Sequence, residues 1–407
     1  MSALTPAWTT DDGARRARGL LAAALGPEPA DGVWAAPGRV NLIGEHTDYN
    51  GGLCLPIALP HRTYVAVRRR PDRTVRLASA QEEGVRTIDL DAVGPAGTPG
   101  AVEGWPAYVV GVAWALVAEG LVAAEDATGF DVAVDSCVPY GAGLSSSAAL
   151  EASAAIALDE LWGLGLAADD AGRARLAAAC VRAENEVAGA PTGGMDQSAS
   201  LRAQEGRALL LDCRDGSTRQ VPFDLATAGL ELLVIDTRAP HALVDGQYAE
   251  RRDSCERAAR RLGVATLREV EDLDAALAAL EEPVVQRRVR HVVTEIERVT
   301  RFVAELGAGQ LDAAALGELM AGSHASLRDD YEVTCPELDL AVETATAAGA
   351  HGARMTGGGF GGSAIALLPA GQAERVAAEV TAAFAAAGFA EPAFLLSPAS
   401  APAERVS

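Results

Sequence analysis

Three stretches of the sequence crowd together residues that handle anions and hydroxyl groups. The first is Pro139-Tyr-Gly-Ala-Gly-Leu-Ser-Ser-Ser-Ala-Ala149. Gly141 and Gly143 let the backbone turn tightly and keep a Cβ out of the path of a bulky anion. Ser145, Ser146 and Ser147 stand where an apolar, alanine-rich run, Ser145–Leu161, begins. Their N–H groups and hydroxyls would face outward with the positive end of a helix dipole. A serine hydroxyl at that place can also reach a Mg²⁺ that bridges two phosphates. The plainer reading is a glycine turn with serine caps. A triple serine leading straight into an apolar helix favours the phosphate site.

The second stretch is Pro37-Gly-Arg-Val-Asn-Leu-Ile-Gly-Glu-His-Thr-Asp-Tyr-Asn-Gly-Gly52. Glu45, His46, Asp48 and Asn50 fall within six residues, beside several glycines and downstream of Arg39. That density of donors and acceptors suits a polyhydroxylated ligand, whose adjacent hydroxyls each need an oriented partner. A metal site and a solvated polar turn are the alternatives, although no second histidine stands at helical spacing for zinc. The third set lies downstream. Glu184-Asn-Glu186 ends a helix, Pro191-Thr-Gly-Gly-Met-Asp-Gln197 reads as a glycine-flanked loop carrying one acid, and Met355–Gly362 is a second glycine-rich loop entering a strand. Alone, each could be a capped turn or a close backbone approach.

Periodicity indicates the elements that must hold these stretches. A first helix is expected near Gly13–Leu25, and a strand at Gly32–Ala36 that stops at Pro37-Gly38. Thr63–Arg68, Thr74–Ala78 and Phe130–Cys137 read as strands, and Trp105–Ala118 and Arg173–Val187 as helices. Beyond a boundary near Ala203–Gly206, strands are expected at Ala208–Asp212, Leu232–Ile235, Ser363–Leu368 and Ala393–Leu396. A long helical stretch runs from about Gln247 to Asp330, broken at Gly263 and Pro283, and another helix covers Gly371–Ala386.

Composition narrows the chemistry. The 407 residues fit two domains, and 34 basic against 56 acidic residues give a net charge of −22. Such a surface disfavours nucleic acid and anionic membranes as partners. It also requires any phosphate site to supply its own positive potential. The sequence contains no lysine. A Walker A loop, a protein-kinase strand lysine, Schiff-base chemistry and a lysine general base are therefore excluded. The six cysteines are scattered without a Cys-x-x-Cys pair, as expected of reduced, mostly buried thiols in a cytoplasmic protein. The start of the sequence shows no secretory leader, and no apolar run approaches the ~20 residues of a membrane span.

Taken together, the motifs resemble those of the galactokinases, members of the GHMP small-molecule kinase superfamily, from about residue 30 to 396. Pro139–Ala149 looks like the superfamily's ATP-phosphate motif, Gly38–Asn50 like the galactokinase signature, and Met355–Gly362 like the third motif. Gln247–Arg252, Arg290–Val292 and Ser326–Tyr331 are similar as well. The resemblance implies an α+β, two-lobed GHMP kinase fold. It comprises a mixed-sheet N-terminal domain (1–204) and a C-terminal domain (205–407) with a ferredoxin-like unit, and the active site lies in the cleft between them. It implies ATP-dependent phosphorylation of D-galactose at its anomeric hydroxyl. The acidic balance and the lack of an obvious exposed apolar stripe lead to the expectation of a monomer. Glu45, His46, Thr47, Asp48, Gly193 and Tyr248 would contact the sugar. Gly141, Ala142, Gly143, Leu144, Ser145, Ser146 and Ser147 would wrap the phosphates, and Ser79 would touch the nucleotide. Ser147 and Glu184 would hold Mg²⁺, and Asp196 would be the catalytic acid–base residue with Arg39 beside it. Pro191-Thr192 departs from the cysteine and glycine usual there, which bears on the shape of the sugar pocket. A kinase for a related sugar (N-acetylgalactosamine, arabinose, a uronic acid) and a non-catalytic sugar sensor are the alternatives.

Overall fold

The structure, a computed structural model, describes residues 3–239, 244–309 and 311–407. Its largest sheet has six strands in the order β13 (Glu404–Arg405), β1 (Gly32–Asn41), β3 (Pro56–Arg69), β6 (Phe130–Ser136), β4 (Thr74–Ser79), β5 (Val85–Asp89). All its pairings are antiparallel except that of β4 with β6. The central strands β1, β3 and β6 are buried along nearly their whole length because both their faces are covered. Val33 and Ala35 of β1, Tyr64 and Ala66 of β3, and Ala133 of β6 face the helix Thr10–Leu25. Their neighbours Trp34, Ala36, Val65, Val67, Val132 and Val134 point the other way, into the helices Pro106–Ala118, Ser146–Leu161 and Asp170–Arg182. The alternation is the period-2 geometry of a strand.

Strand β1 is longer than the sequence indicated. It passes through Pro37 to Asn41, with a register shift against β3 between Pro37 and Arg39. Proline cannot donate to a ladder, and the shift absorbs that defect without ending the strand. Gly38 sits at the shift because a Cβ there would lie 2.5 Å from the carbonyl oxygen of Leu144.

A second, antiparallel sheet has the order β10 (Gly352–Thr356), β11 (Ser363–Pro369), β9 (Leu230–Asp236), β12 (Ala393–Leu396). One face, with Leu233, Ile235, Ala364 and Ala366, packs on the helices Pro336–Ala347 and Ala373–Ala387. The other, with Leu232, Val234, Ile365 and Leu367, joins Val40, Leu42, Ile57 and Leu59 of the first half in one apolar cluster. A third sheet, β2 (Leu53–Cys54), β7 (Arg207–Asp212), β8 (Ser217–Pro222), and the pairing of β13 with β1 both cross the division expected at residue 204.

The expected helical stretch resolves into Val244–Leu262, Leu273–Ala278, Pro283–Leu306 and Ala313–Ser326. The first closes at Gly263, which takes φ 73°, and Pro283 opens the third, where a missing N–H costs nothing. The additional break after Leu306 carries no proline to announce it. Residues 1–2, 240–243 and 310 lie outside the described residues. All six cysteines are free thiols, and among the described residues no helix is long and apolar enough to cross a membrane.

Candidate active site

Strand β6 runs into the glycine–serine loop, which is strained where the sequence placed its special residues. Gly141 and Gly143 take φ 71° and 69°. Ser145 adopts the left-handed conformation, φ 59°, just before the helix Ser146–Leu161. A non-glycine residue held there costs of order 1–3 kcal/mol and persists only when its surroundings fix it. Here Arg39 N donates to the Leu144 carbonyl at 3.1 Å, and Ser145 Oγ donates to Asp196 Oδ2 at 2.5 Å. From the other half, Ser363 Oγ of β11 donates to the Ala142 carbonyl at 2.7 Å.

Arg39 is buried and organises the centre. Its Nε and Nη2 donate to Asp196 Oδ1 and Oδ2 at 2.9 and 3.0 Å, and Nη1 donates to the Gly143 carbonyl at 2.7 Å. Asp196 is not on a loop, as its flanking glycines had indicated. It is the second residue of the helix Met195–Arg202, entered from Gly194 in the left-handed conformation. The glycines serve that sharp entry, and the helix fixes the carboxylate.

Asp196 shares a cavity of about 160 Å³ with Arg39, Glu45, His46, Asp48, Glu184 and Tyr248, together with Pro191, Thr192, Met195, Gly357 and Gly358. Asp48 presents its carboxylate beside Gly193, where a Cβ would lie 2.0 Å from Asp48 Oδ2. Burial, reinforced by the charge of Asp196, pushes Asp48 up to about 6. Burial also pushes the Tyr248 hydroxyl well above its ordinary range, so it stays protonated. Thr192 N donates to Asn185 Oδ1 at 2.8 Å, which fixes the Pro191-Thr192 wall. Asn185 itself lies in a π turn, Ala183–Ala188, that ends the preceding helix.

Glu45 and His46 line the same cavity, yet their polar atoms are largely engaged by the protein. Glu45 Oε2 accepts from Asn41 Nδ2 at 2.8 Å and lies 2.6 Å from Arg354 Nη2. Its Oε1 accepts from Gly357 N at 2.9 Å and from Thr356 Oγ1 at 3.1 Å. His46 Nε2 faces the Gly358 carbonyl at 3.2 Å, and Nδ1 faces the Tyr49 hydroxyl at 2.8 Å. Burial holds the imidazole down to about 3, so the ring is neutral. A carbonyl can only accept, so Nε2 carries the proton and Nδ1 accepts from Tyr49. Tyr49 in turn lies 2.8 Å from the Tyr331 hydroxyl. Thr47 does not reach the cavity. It is fully buried, with its hydroxyl 2.9 and 2.8 Å from the carbonyls of Gly44 and Leu53. That hydroxyl serves its own turn.

Glu184 lies across the cavity from the sugar signature. Burial and the charge of Asp196 push it up to about 7, against hydrogen bonds from Ser147 and Gln197. Among the described residues no cluster of three or more metal-ligating side chains occurs. A serine and one carboxylate fit a Mg²⁺ that takes its remaining ligands from phosphates and water. Ser79 is the last residue of β4, opposite Val134 near the end of β6, with its hydroxyl accepting from Gln81 N at 3.1 Å. Sequence reasoning missed Arg354 and Glu151. Both are polar residues inside apolar patterns, and no local motif announces them.

Residues 22–69 match the galactokinase galactose-binding signature, 107–204 the GHMP kinases N terminal domain, and 302–386 the GHMP kinases C terminal region. The chain is 52% identical to a galactokinase of Streptomyces coelicolor over 388 residues, covering 94% of this chain and 95% of that one. A galactokinase of Streptomyces lividans is 50% identical over 362 residues, 87% of this chain and 86% of the relative. The crystal structure of Lactococcus lactis galactokinase complexed with galactose superposes with a TM-score of 0.86. It is 32% identical and covers 95% of this chain and 98% of that one.

Proposed function

The chain belongs to the galactokinase family, and we propose that it phosphorylates D-galactose in the cavity between Asp48 and Asp196. It transfers the γ-phosphoryl group of ATP to the anomeric hydroxyl, giving galactose 1-phosphate and ADP. The observation that carries the site assignment is the Arg39–Asp196–Ser145 cluster, which joins the glycine–serine loop to the sugar-signature strand.

Phosphoryl transfer asks a protein mainly for positioning and charge neutralisation. The loop Gly141–Ser145 leads into the 16-residue helix Ser146–Leu161, whose N-terminus offers N–H groups and its positive dipole end to the phosphates. Ser79, at the end of β4 opposite Val134, would touch the nucleotide. Asp48, Tyr248 and the Gly193 backbone hold sugar hydroxyls. Glu45 and His46 act on the sugar more as a frame, fixing Gly357 and Gly358 in the cavity wall. The anomeric hydroxyl lies against Asp196, whose Oδ accepts its proton as the new P–O bond forms and ADP leaves. Arg39 holds the Asp196 carboxylate in place through two hydrogen bonds and steadies the transferring group. Ser147 and Glu184 hold a Mg²⁺, which when bound neutralises phosphate charge.

The excess of 56 acidic over 34 basic residues supports small-molecule rather than nucleic-acid or membrane partners, and we extend the reading to a cytoplasmic monomer. An ADP-release assay with Mg²⁺ and a sugar panel tests the function. The panel comprises galactose, N-acetylgalactosamine, arabinose and a uronic acid. Galactose should give the highest kcat/KM. Turnover of another sugar alone would move the substrate, and galactose binding without ADP release would leave a sensor.

A further inference from the structure

Gln197 comes directly after Asp196 in the helix Met195–Arg202 and is completely buried. Its side-chain Nε2 donates to two carboxylates, Glu184 Oε2 and, at 3.0 Å, Glu151 Oε2. Glu151 is also completely buried, and among the described residues no cation pairs with it. It stands four residues after Ser147 in the helix Ser146–Leu161, so the two share one helix face. The Ser147 hydroxyl meets Glu184 as well. Glu184 is thus gripped by one helix directly, and by the same helix again through Gln197.

Gln197 Oε1 and Glu151 Oε1 are buried and have no hydrogen-bond partner. The amide is therefore oriented by the carboxylates it bridges and by nothing on its other side. An apolar side chain of similar volume would fill the space as well and leave no unpaired amide oxygen.

We infer that Gln197 and Glu151 are positioning residues that fix the Glu184 carboxylate for a divalent cation at the phosphate loop. This rests on the proposed role of Ser147 and Glu184 as the cation's protein ligands. The arrangement places the proton acceptor and the anchor of the cation ligand on consecutive residues of one helical turn. The reacting hydroxyl and the phosphate charge are thereby held at a fixed separation. Outer-shell partners of metal ligands typically contribute about 10–100-fold to metal affinity.

The test is calorimetric titration of ADP into the full chain across a Mg²⁺ series, with thermal melts of each variant. Gln197→Leu should raise the half-saturating Mg²⁺ concentration about 10–100-fold, and the metal-free component of ADP affinity should move far less. Glu184→Ala tests the ligand assignment separately. If it leaves the Mg²⁺ dependence intact, that assignment fails. If it removes the dependence and Gln197→Leu does not, the positioning inference fails. Should Gln197→Leu not fold, Glu151→Leu and Glu151→Gln replace it. Glu151→Gln keeps an acceptor for the Gln197 amide and should lose less Mg²⁺ affinity, and equal losses would overturn the inference.

Discussion

Arg39 meets Asp196 through two hydrogen bonds to separate carboxylate oxygens, at 2.9 and 3.0 Å, while a third donor of the same guanidinium holds the Gly143 carbonyl. One planar side chain thus ties Asp196, the proposed acid–base residue, to the glycine–serine loop. Rigid two-point geometry of this kind is specific to arginine, since an ammonium is a single point of charge.

Asp196→Asn keeps the shape and removes the proton acceptor. Its kcat should fall by the roughly 10²–10⁴-fold that a positioned acid–base group contributes, with a much smaller change in the KM for galactose. A kcat near wild type would remove Asp196 from the chemistry. Arg39→Lys would introduce a lysine into a chain that has none and should also lower kcat, because one ammonium cannot make all three bonds.

Asp48 titrates at about 6 in the fold, against 3.8 for a free side chain. Its charge is present above pH 6 and lost below, so the KM for galactose should rise as pH falls through 6. Stability runs the other way. The folded chain holds that proton more tightly, so stability rises as pH falls from about 6 towards about 4. Above that window the buried charge opposes folding by roughly 3 kcal/mol, about two units at about 1.36 each. Asp48→Asn should accordingly bind galactose more weakly and melt higher at a pH of about 7.5, where the wild-type carboxylate is charged. A lower melting temperature would contradict the burial argument.

Gly193→Ala places a methyl 2.0 Å from Asp48 Oδ2 and 2.5 Å from its Cγ. The three atoms nearest to that methyl all belong to Asp48, so it is this carboxylate that must move. The expected result is a raised KM for galactose with little change in the KM for ATP, read from initial rates.

Arg354 is wholly buried, 2.6 Å from Glu45 and 3.7 Å from Glu295, and its Nη1 holds the carbonyls of Asn41 and Leu42. Removing one partner of a buried pair typically costs about 3–5 kcal/mol. Arg354→Met should therefore lower the denaturant midpoint by a corresponding amount, although Arg354 does not line the cavity. An unchanged midpoint would show that Glu45 is anchored by its other donors alone.

Local signals in the sequence were legible and long-range ones were not. Gly141, Gly143 and Ser145–Ser147 announce a strained loop feeding a helix, because turn chemistry is written in neighbouring residues. Strand β1 reads as ending at Pro37, because the register shift that rescues it depends on Leu144, more than a hundred positions away. Asp196 reads as a loop residue, since the two glycines before it mark a turn without specifying the element beyond. Thr47 looks like part of a sugar-binding run, because its neighbours are. Only the fold shows that it faces inward to Gly44 and Leu53. Arg354 meets Glu45 and Glu151 meets Gln197 across long stretches of sequence, and no local window could have paired them.

The apolar cluster shared by β1, β3, β9 and β11 also bears on how the molecule comes apart. Val40 and Ile57 lose their packing as soon as Val234 and Ile365 leave, so neither half retains an intact interior alone. Heating should give one calorimetric transition rather than two, with the van't Hoff enthalpy close to the measured one. Either half produced separately should expose that surface and aggregate.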